Sequence, residues 1–126
     1  MVVEDEVASR VALNHLLGRL GVKVTQVGDA EAAARLVRST PVAARPQAVL
    51  VDYNLPGADG LSFLQWLESF DAAVRLALVT AQDRAALHDL PESVAFFRKP
   101  ASFDRIVSFL ALTLSDPSKQ TTTRGV

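Results

Sequence analysis

Val49, Leu50 and Val51 form a short apolar run that stops on an acid, Asp52. An unbroken apolar run of this kind is the pattern of a strand covered on both faces. Asn54, Pro56, Gly57 and Gly60 then mark a loop, and Leu61, Phe63, Leu64 and Leu67 recur at helical spacing. Strand, acid, Gly-rich loop and helix make one βα unit of an open α/β sheet, in which ligands bind outside the carboxyl ends of the strands. A strand-terminal Asp is by itself as readily a cap or a turn residue. Asp52 gains meaning only from what else reaches the same rim.

The rest of the chain repeats the unit. Met1 to Val3 is a very short apolar strand leading into Glu4, Asp5 and Glu6, and Val11, Leu13, Leu16, Leu17 and Leu20 place a helix over Val7 to Leu20, stopped by Gly21. Val22 to Val27 alternates as a strand, Asp29 is an N-cap, and Ala30 to Ser39 is an Ala-rich helix. A loop with two prolines, Thr40 to Pro46, precedes the central strand over Gln47 to Val51, and Gly60 to Phe70 is the helix after it. Val74 to Thr80 is a fourth strand, Ala81 to Leu90 a short helix stopped by Pro91, Ser93 to Phe97 a fifth strand, and Ser102 to Leu114 a closing amphipathic helix. Five strands alternating with five helices, the fourth short or irregular, predict a doubly wound parallel sheet with right-handed crossovers over residues 1–114. Residues 115–126, rich in Ser, Thr and Lys, are expected to be a disordered tail or linker.

Composition narrows the function. The 126 residues suit one domain with a real core. No apolar run approaches the roughly 20 residues that cross a bilayer, so no membrane insertion is expected. The amino terminus has neither the basic nor the apolar region of a signal peptide, which points to a cytoplasmic protein. Cysteine is absent, which excludes disulfides and thiolate metal sites, and a net charge of −1 without a basic patch argues against nucleic-acid binding.

The residues where strands end are Glu4 and Asp5, then Asp52, Thr80 and Lys99. Three carboxylates gathered at one rim repel, and a divalent cation relieves them; hard oxygen ligands favour Mg²⁺, with Mn²⁺ the second candidate. An aspartate nucleophile with a metal, a lysine and a hydroxyl around it is an arrangement for phosphoryl chemistry.

These pieces together resemble the receiver domain of two-component response regulators. Val3, Glu4, Asp5 and Glu6 look like the family's acidic strand end, and Asp52 through Gly60 like its phosphoacceptor loop. Thr80 with Ala81 resembles the switch hydroxyl and its small neighbour, and Phe96 through Pro100 the Lys-Pro motif. The resemblance implies a flavodoxin-like fold of strand order 2-1-3-4-5 and a phosphoaspartate switch. It implies phosphorylation on Asp52, Mg²⁺ bound by Asp5 and Asp52 directly, by Glu4 through water and by the Asn54 carbonyl, and Lys99 paired with the phosphoryl group. Thr80 and Phe96 would be the switch pair, the Lys99–Pro100 peptide would be cis, and the signal would leave by the face of the fourth helix, fifth strand and fifth helix. The phosphodonor would be a histidine kinase or a histidine phosphotransfer protein, and the protein would catalyse only its own phosphorylation and slow dephosphorylation. Val3, Glu4, Asp5 and Glu6 with Arg10, Leu13, Leu17, Leu20 and Gly21 look slightly more like receivers of hybrid sensor kinases; no motif names the output partner.

Three positions depart from the common pattern: Phe96 where many members carry Tyr, Glu4 where many carry Asp, and a Thr80–Lys99 segment about three residues short that contains Pro91. Phe96 needs no partner for a hydroxyl, so an inward rotamer is expected even before phosphorylation. Two other functions fit part of the pattern. A haloacid-dehalogenase-like phosphatase also uses Asp, Mg²⁺, Lys and Thr, but it needs an acid where Asn54 stands. A degenerate receiver used only for binding would have no need of the full rim set. His15, His88, Asp83, Arg84 and Asp89 read as solvated surface groups, and Trp66 as half-buried packing.

Overall fold

The computed structural model describes residues 1–99 and 103–115. Five parallel strands form one sheet: β1 (Val2–Val3), β2 (Gln26–Val27), β3 (Ala48–Asp52), β4 (Arg75–Thr80) and β5 (Val94–Arg98), in the order β2-β1-β3-β4-β5. The helices are α1 (Val7–Gly18), α2 (Ala30–Ser39), α3 (Gly60–Phe70) and α4 (Phe103–Ser115). This is the flavodoxin-like topology expected from the alternation of strand and helix patterns.

Side-chain alternation divides the strands between two layers. Val3, Val49, Val51, Leu76 and Leu78 face one core, closed by Ala33 and Val37 of α2 and Phe63, Leu64 and Leu67 of α3. Val2, Leu50, Ala77 and Val79 face the other, with Leu17 of α1 and Ile106, Phe109 and Leu110 of α4. The central strand β3 is buried at every position, which is why its sequence runs apolar without alternation.

Element ends follow local chemistry. Asp29 caps α2, its Oδ1 accepting from the Ala32 N–H at 2.7 Å. Asp59 caps α3 in the same way through Ser62 N, also at 2.7 Å; the Asp-Gly pair before an apolar helical pattern carried that signal. The first helix is shorter than expected, because its end tightens into i→i+3 bonds, Leu20 N to Leu17 O and Gly21 N to Gly18 O, before Gly21 turns at φ 76°. The second strand is also shorter. Val22 to Val27 has strand-like alternation, yet only Gln26 and Val27 pair, since their neighbour β1 is itself two residues long. The closing helix runs one residue further than expected, taking in Ser115; the rest of the expected tail lies outside the described residues.

Ala81 to Leu90, expected as a short or irregular fourth helix, is irregular. Only a 3₁₀ turn, Arg84–Ala86, forms there. The turn has no side-chain cap, Pro91 blocks extension, and Ala81 through Ala86 are exposed. Only Leu87 and Leu90 are buried, so the segment lies on the domain as a strap anchored by two leucines. Arg84 is exposed, as expected, and it also donates to the carbonyls of Leu87 and Leu90 at 3.2 and 3.4 Å.

Candidate functional site

Parallel strands end on one side, so the residues just past β1, β3, β4 and β5 share a rim. Asp52 closes β3, and its oxygens have different partners. Oδ1 accepts from the Asn54 backbone N–H at 3.1 Å, and Oδ2 accepts from Lys99 Nζ at 2.9 Å. Lys99 also donates to Glu4 Oε1 at 3.3 Å, and Glu4 Oε2 accepts from Glu6 N, likewise at 3.3 Å. The structure thus brings Glu4, Asp5, Asp52, Asn54 and Lys99 to one place. Glu4 and Asp52 are buried, and Asp5 is exposed.

Thr80 is fully buried one residue beyond the position that pairs with Asp52. Its carbonyl accepts from Lys99 N at 2.7 Å, which fixes the lysine at the end of β5. Its Oγ1 accepts from the Gln82 N–H at 3.1 Å and is therefore turned toward the strap. Phe96 is half-buried against the core that contains Leu87 and Leu90. Pro100, and with it the expected cis peptide, lies outside the described residues. His15 and His88 are exposed and take no part in the rim.

The loop between Asp52 and α3 folds back as a two-residue antiparallel ribbon, Asn54–Leu55 against Ala58–Asp59. Pro56 followed by Gly57, with Gly57 at φ 80°, fits a type II turn at its tip. The ribbon returns Gly60 directly onto the end of β3, where its N–H donates to Tyr53 O at 2.7 Å. A Cβ on Gly60 would stand 2.2 Å from the Asp52 carbonyl oxygen. Sequence inspection marks Gly60 only as loop punctuation; its part in seating Asp52 is a tertiary fact.

The electrostatics express the crowding of acids. Burial first, and then hydrogen bonding and charge repulsion from Asp52, raise Glu4 from its ordinary 4.5 to about 7, against the pull of Glu6 N–H and Lys99. Burial also pushes Asp52 upward, but Glu4, Lys99 and the Asn54 amide outweigh it and hold Asp52 below its usual range. Burial lowers Lys99, and its two carboxylate partners more than reverse that, so it lies above its usual value. The rim is thus an ionised Asp52 beside a Glu4 that holds its proton well above the usual range. One ligand oxygen from each of Glu4, Asp5 and Asp52 lies within 4.8 Å of the others, a hard-oxygen set that suits Mg²⁺.

The fit of these residues to a cation gives a pH prediction. In the absence of metal the folded state holds the Glu4 proton more tightly than the unfolded chain. Stability therefore falls as pH rises from about 4.5 to about 7 and levels above that. Asp52 acts in the opposite sense and in another window: its lowered value contributes stability above the ordinary aspartate range, which is lost only as pH falls below it. Thermal melts of wild type and Glu4→Gln across this range, without metal, are expected to differ in slope between pH 4.5 and 7. Parallel curves would mean that Glu4 titrates normally.

Among the described residues no helix is long and apolar enough to cross a membrane. A family model for the response regulator receiver domain matches residues 1–111. Over 90 residues the chain is 33% identical to a probable chemotaxis protein CheY of Rhizobium etli, covering 69% of this chain and 67% of that protein. It is 28% identical over 111 residues to sporulation initiation phosphotransferase F of Bacillus subtilis, covering 84% and 85%. The crystal structure of the signal receiver domain of a signal transduction histidine kinase from Syntrophus aciditrophicus superposes with a TM-score of 0.77 at 25% identity, over 90% of this chain and 87% of that one. A receiver domain of an HD domain-containing protein from Pseudomonas fluorescens shares the fold with a TM-score of 0.79 at 21% identity, over 98% and 89%. With the sheet order, the rim geometry and a family match over most of its length, the chain belongs to the response regulator receiver domains of two-component signalling.

Proposed function

We propose that this domain is a phosphoaspartate switch in which Asp52 accepts a phosphoryl group from a phosphohistidine on a histidine kinase or phosphotransfer protein. The observation that carries this is the state of Asp52: ionised, buried, and paired through Oδ2 with Lys99 at 2.9 Å. A carboxylate oxygen of Asp52 attacks phosphorus, the phosphorus–nitrogen bond to the donor histidine breaks, and the bonding pair leaves with the imidazole. Lys99, already at the carboxylate, follows the charge onto the phosphoryl oxygens. Thr80, once turned away from Gln82, donates a hydrogen bond from its hydroxyl to one of them. Asp5, Asp52 and Glu4 are the residues that would hold Mg²⁺, with Asn54 contributing its carbonyl; the metal neutralises phosphoryl charge when bound. Asn54 offers no carboxylate two residues after the nucleophile, so the site lacks the second acid of a dehalogenase-like phosphatase. The domain thus turns over only its own phosphoryl group. We assign it to residues 1–114, with the remainder as tail or linker.

The test is incubation with acetyl phosphate and Mg²⁺, followed by intact-mass and peptide mass spectrometry. One hydroxylamine-labile phosphoryl group is expected on the peptide that contains Asp52. Labelling elsewhere, or none, would refute the assignment.

Metal binding gives a second expectation. Asp5→Asn removes an exposed ligand that supports no packing, so it should weaken Mg²⁺ binding by about tenfold or more while leaving the metal-free melting temperature nearly unchanged. Calorimetric titration of Mg²⁺ into both proteins measures this. Equal affinities would remove Asp5 from the site.

A further inference from the structure

The strap after Thr80 is tied down in two places. At its far end Gln65 Nε2 donates to Asp89 O at 3.3 Å, and Ser93 donates to Glu68, both holding it to α3. At its near end a single side chain does the work. Arg98 Nη1 lies 2.7 Å from Asp83 Oδ1, and Arg98 Nε donates to Ala81 O at 3.4 Å. Among the described residues these are the only side-chain hydrogen bond and ion pair that residues 81–83 receive from β5, and they bracket Gln82. Gln82 is the residue whose N–H engages Thr80 Oγ1. Arg98 is itself set opposite Thr80 in the β4–β5 register.

We infer that Arg98 and Asp83 form a clasp that holds Thr80 turned away from Asp52 and so sets how readily Asp52 takes a phosphoryl group; this rests on Asp52 being the phosphoacceptor. Thr80 reaches a phosphoryl oxygen by passing from one staggered χ1 position to another, which carries Oγ1 through on the order of 2 Å. A 3.1 Å hydrogen bond does not survive that displacement unless Gln82 travels with the hydroxyl. Gln82 is pinned on both sides by one guanidinium, so either its N–H loses its partner or the clasp opens. Both penalise the turned-in state and neither affects the resting one. Arg98 and Asp83 are positioning residues here: neither touches the phosphoryl group, and both act through Gln82 and Thr80. The expected size is modest, because the two side chains are 60% and 68% exposed. An exposed ion pair shifts an equilibrium by about twofold to fivefold.

The test compares wild type, Asp83→Asn, Arg98→Lys and the double variant Asp83→Asn/Arg98→Gln. Each is titrated with beryllofluoride in the presence of Mg²⁺ by fluorine NMR, and melting temperatures are measured in parallel. Asp83→Asn should bind beryllofluoride about twofold to fivefold more tightly than wild type while its melting temperature stays level or falls. Arg98→Lys keeps the charge pair but loses the contact with Ala81, and should fall between them. The double variant removes both contacts of Arg98 and should bind at least as tightly as Asp83→Asn; weaker binding than Asp83→Asn by a folded double variant would count against the clasp. Salt near 1 M should bring wild type up to Asp83→Asn, because the pair is screened. Unchanged or weaker beryllofluoride binding by a folded Asp83→Asn would overturn the clasp and leave the phosphoacceptor assignment standing. No beryllofluoride binding by wild type would overturn both.

Discussion

Asp52→Asn is expected to abolish phosphoryl incorporation from acetyl phosphate and to weaken beryllofluoride binding beyond detection, a loss of more than about a hundredfold, as removal of a nucleophile causes. The amide keeps the shape of the carboxylate and its packing under the sheet rim, so circular dichroism and the urea unfolding midpoint should stay close to wild type. What is lost is an anionic oxygen that Lys99 holds at 2.9 Å. The variant has a second signature. Part of what raises Glu4 to about 7 is Asp52 itself, and the remainder is burial, so the Asn variant should move Glu4 back toward its ordinary 4.5. The fall in stability between pH 4.5 and 7 should shrink accordingly. Retained phosphorylation in the Asn variant would sink the assignment of Asp52.

Gly60→Ala should be the most destabilising single-methyl change in the loop. The new Cβ would lie 2.2 Å from the Asp52 carbonyl oxygen, 2.9 Å from its carbon and 2.9 Å from Val51 Cγ1. Two of these are backbone atoms of the central strand, so neither can rotate aside. The clash is relieved only by pushing the start of α3 away from β3, which disturbs the Gly60–Tyr53 hydrogen bond and the layer of Phe63, Leu64 and Leu67 beneath it. Overpacking of this kind costs about 3 kcal/mol, which for a domain of this size lowers the melting temperature by on the order of 10 °C. Gly57→Ala is the internal comparison. Its Cβ would meet open space, and only the positive φ of 80° penalises it, by about 1 to 2 kcal/mol. Urea unfolding of the two variants should rank Gly60→Ala as the worse. A melting temperature within about 2 °C of wild type would show that the loop yields freely.

The chain determined by itself whatever depends on local pattern. The unbroken apolar run before Asp52, the helical spacing from Leu61 to Leu67 and the Asp29 cap each specify their element from neighbours within a few residues. Accordingly α2 and α3 begin and end where the periodicity places them. The rim was legible for a topological reason: once the strands are parallel, their carboxyl ends lie together, so Glu4, Asp5, Asp52, Thr80 and Lys99 must converge. The tertiary structure decided what depends on partners distant in sequence. The second strand stops short because β1 gives it only two residues to pair with. Ala81 to Leu90 has the composition of a helix, but only Leu87 and Leu90 find a core. Arg84 turns back onto the carbonyls of Leu87 and Leu90, and Arg98 reaches across to Ala81 and Asp83. Those four contacts are hydrogen bonds and an ion pair that no hydrophobic period encodes. Gly60 is the same case in miniature: its need for a bare Cα comes from Asp52, eight positions earlier in the chain and in contact only because the ribbon folds back. A periodic pattern reports burial, which is averaged over many contacts, whereas a clasp or a close approach is a single contact and exists only once the chain has folded.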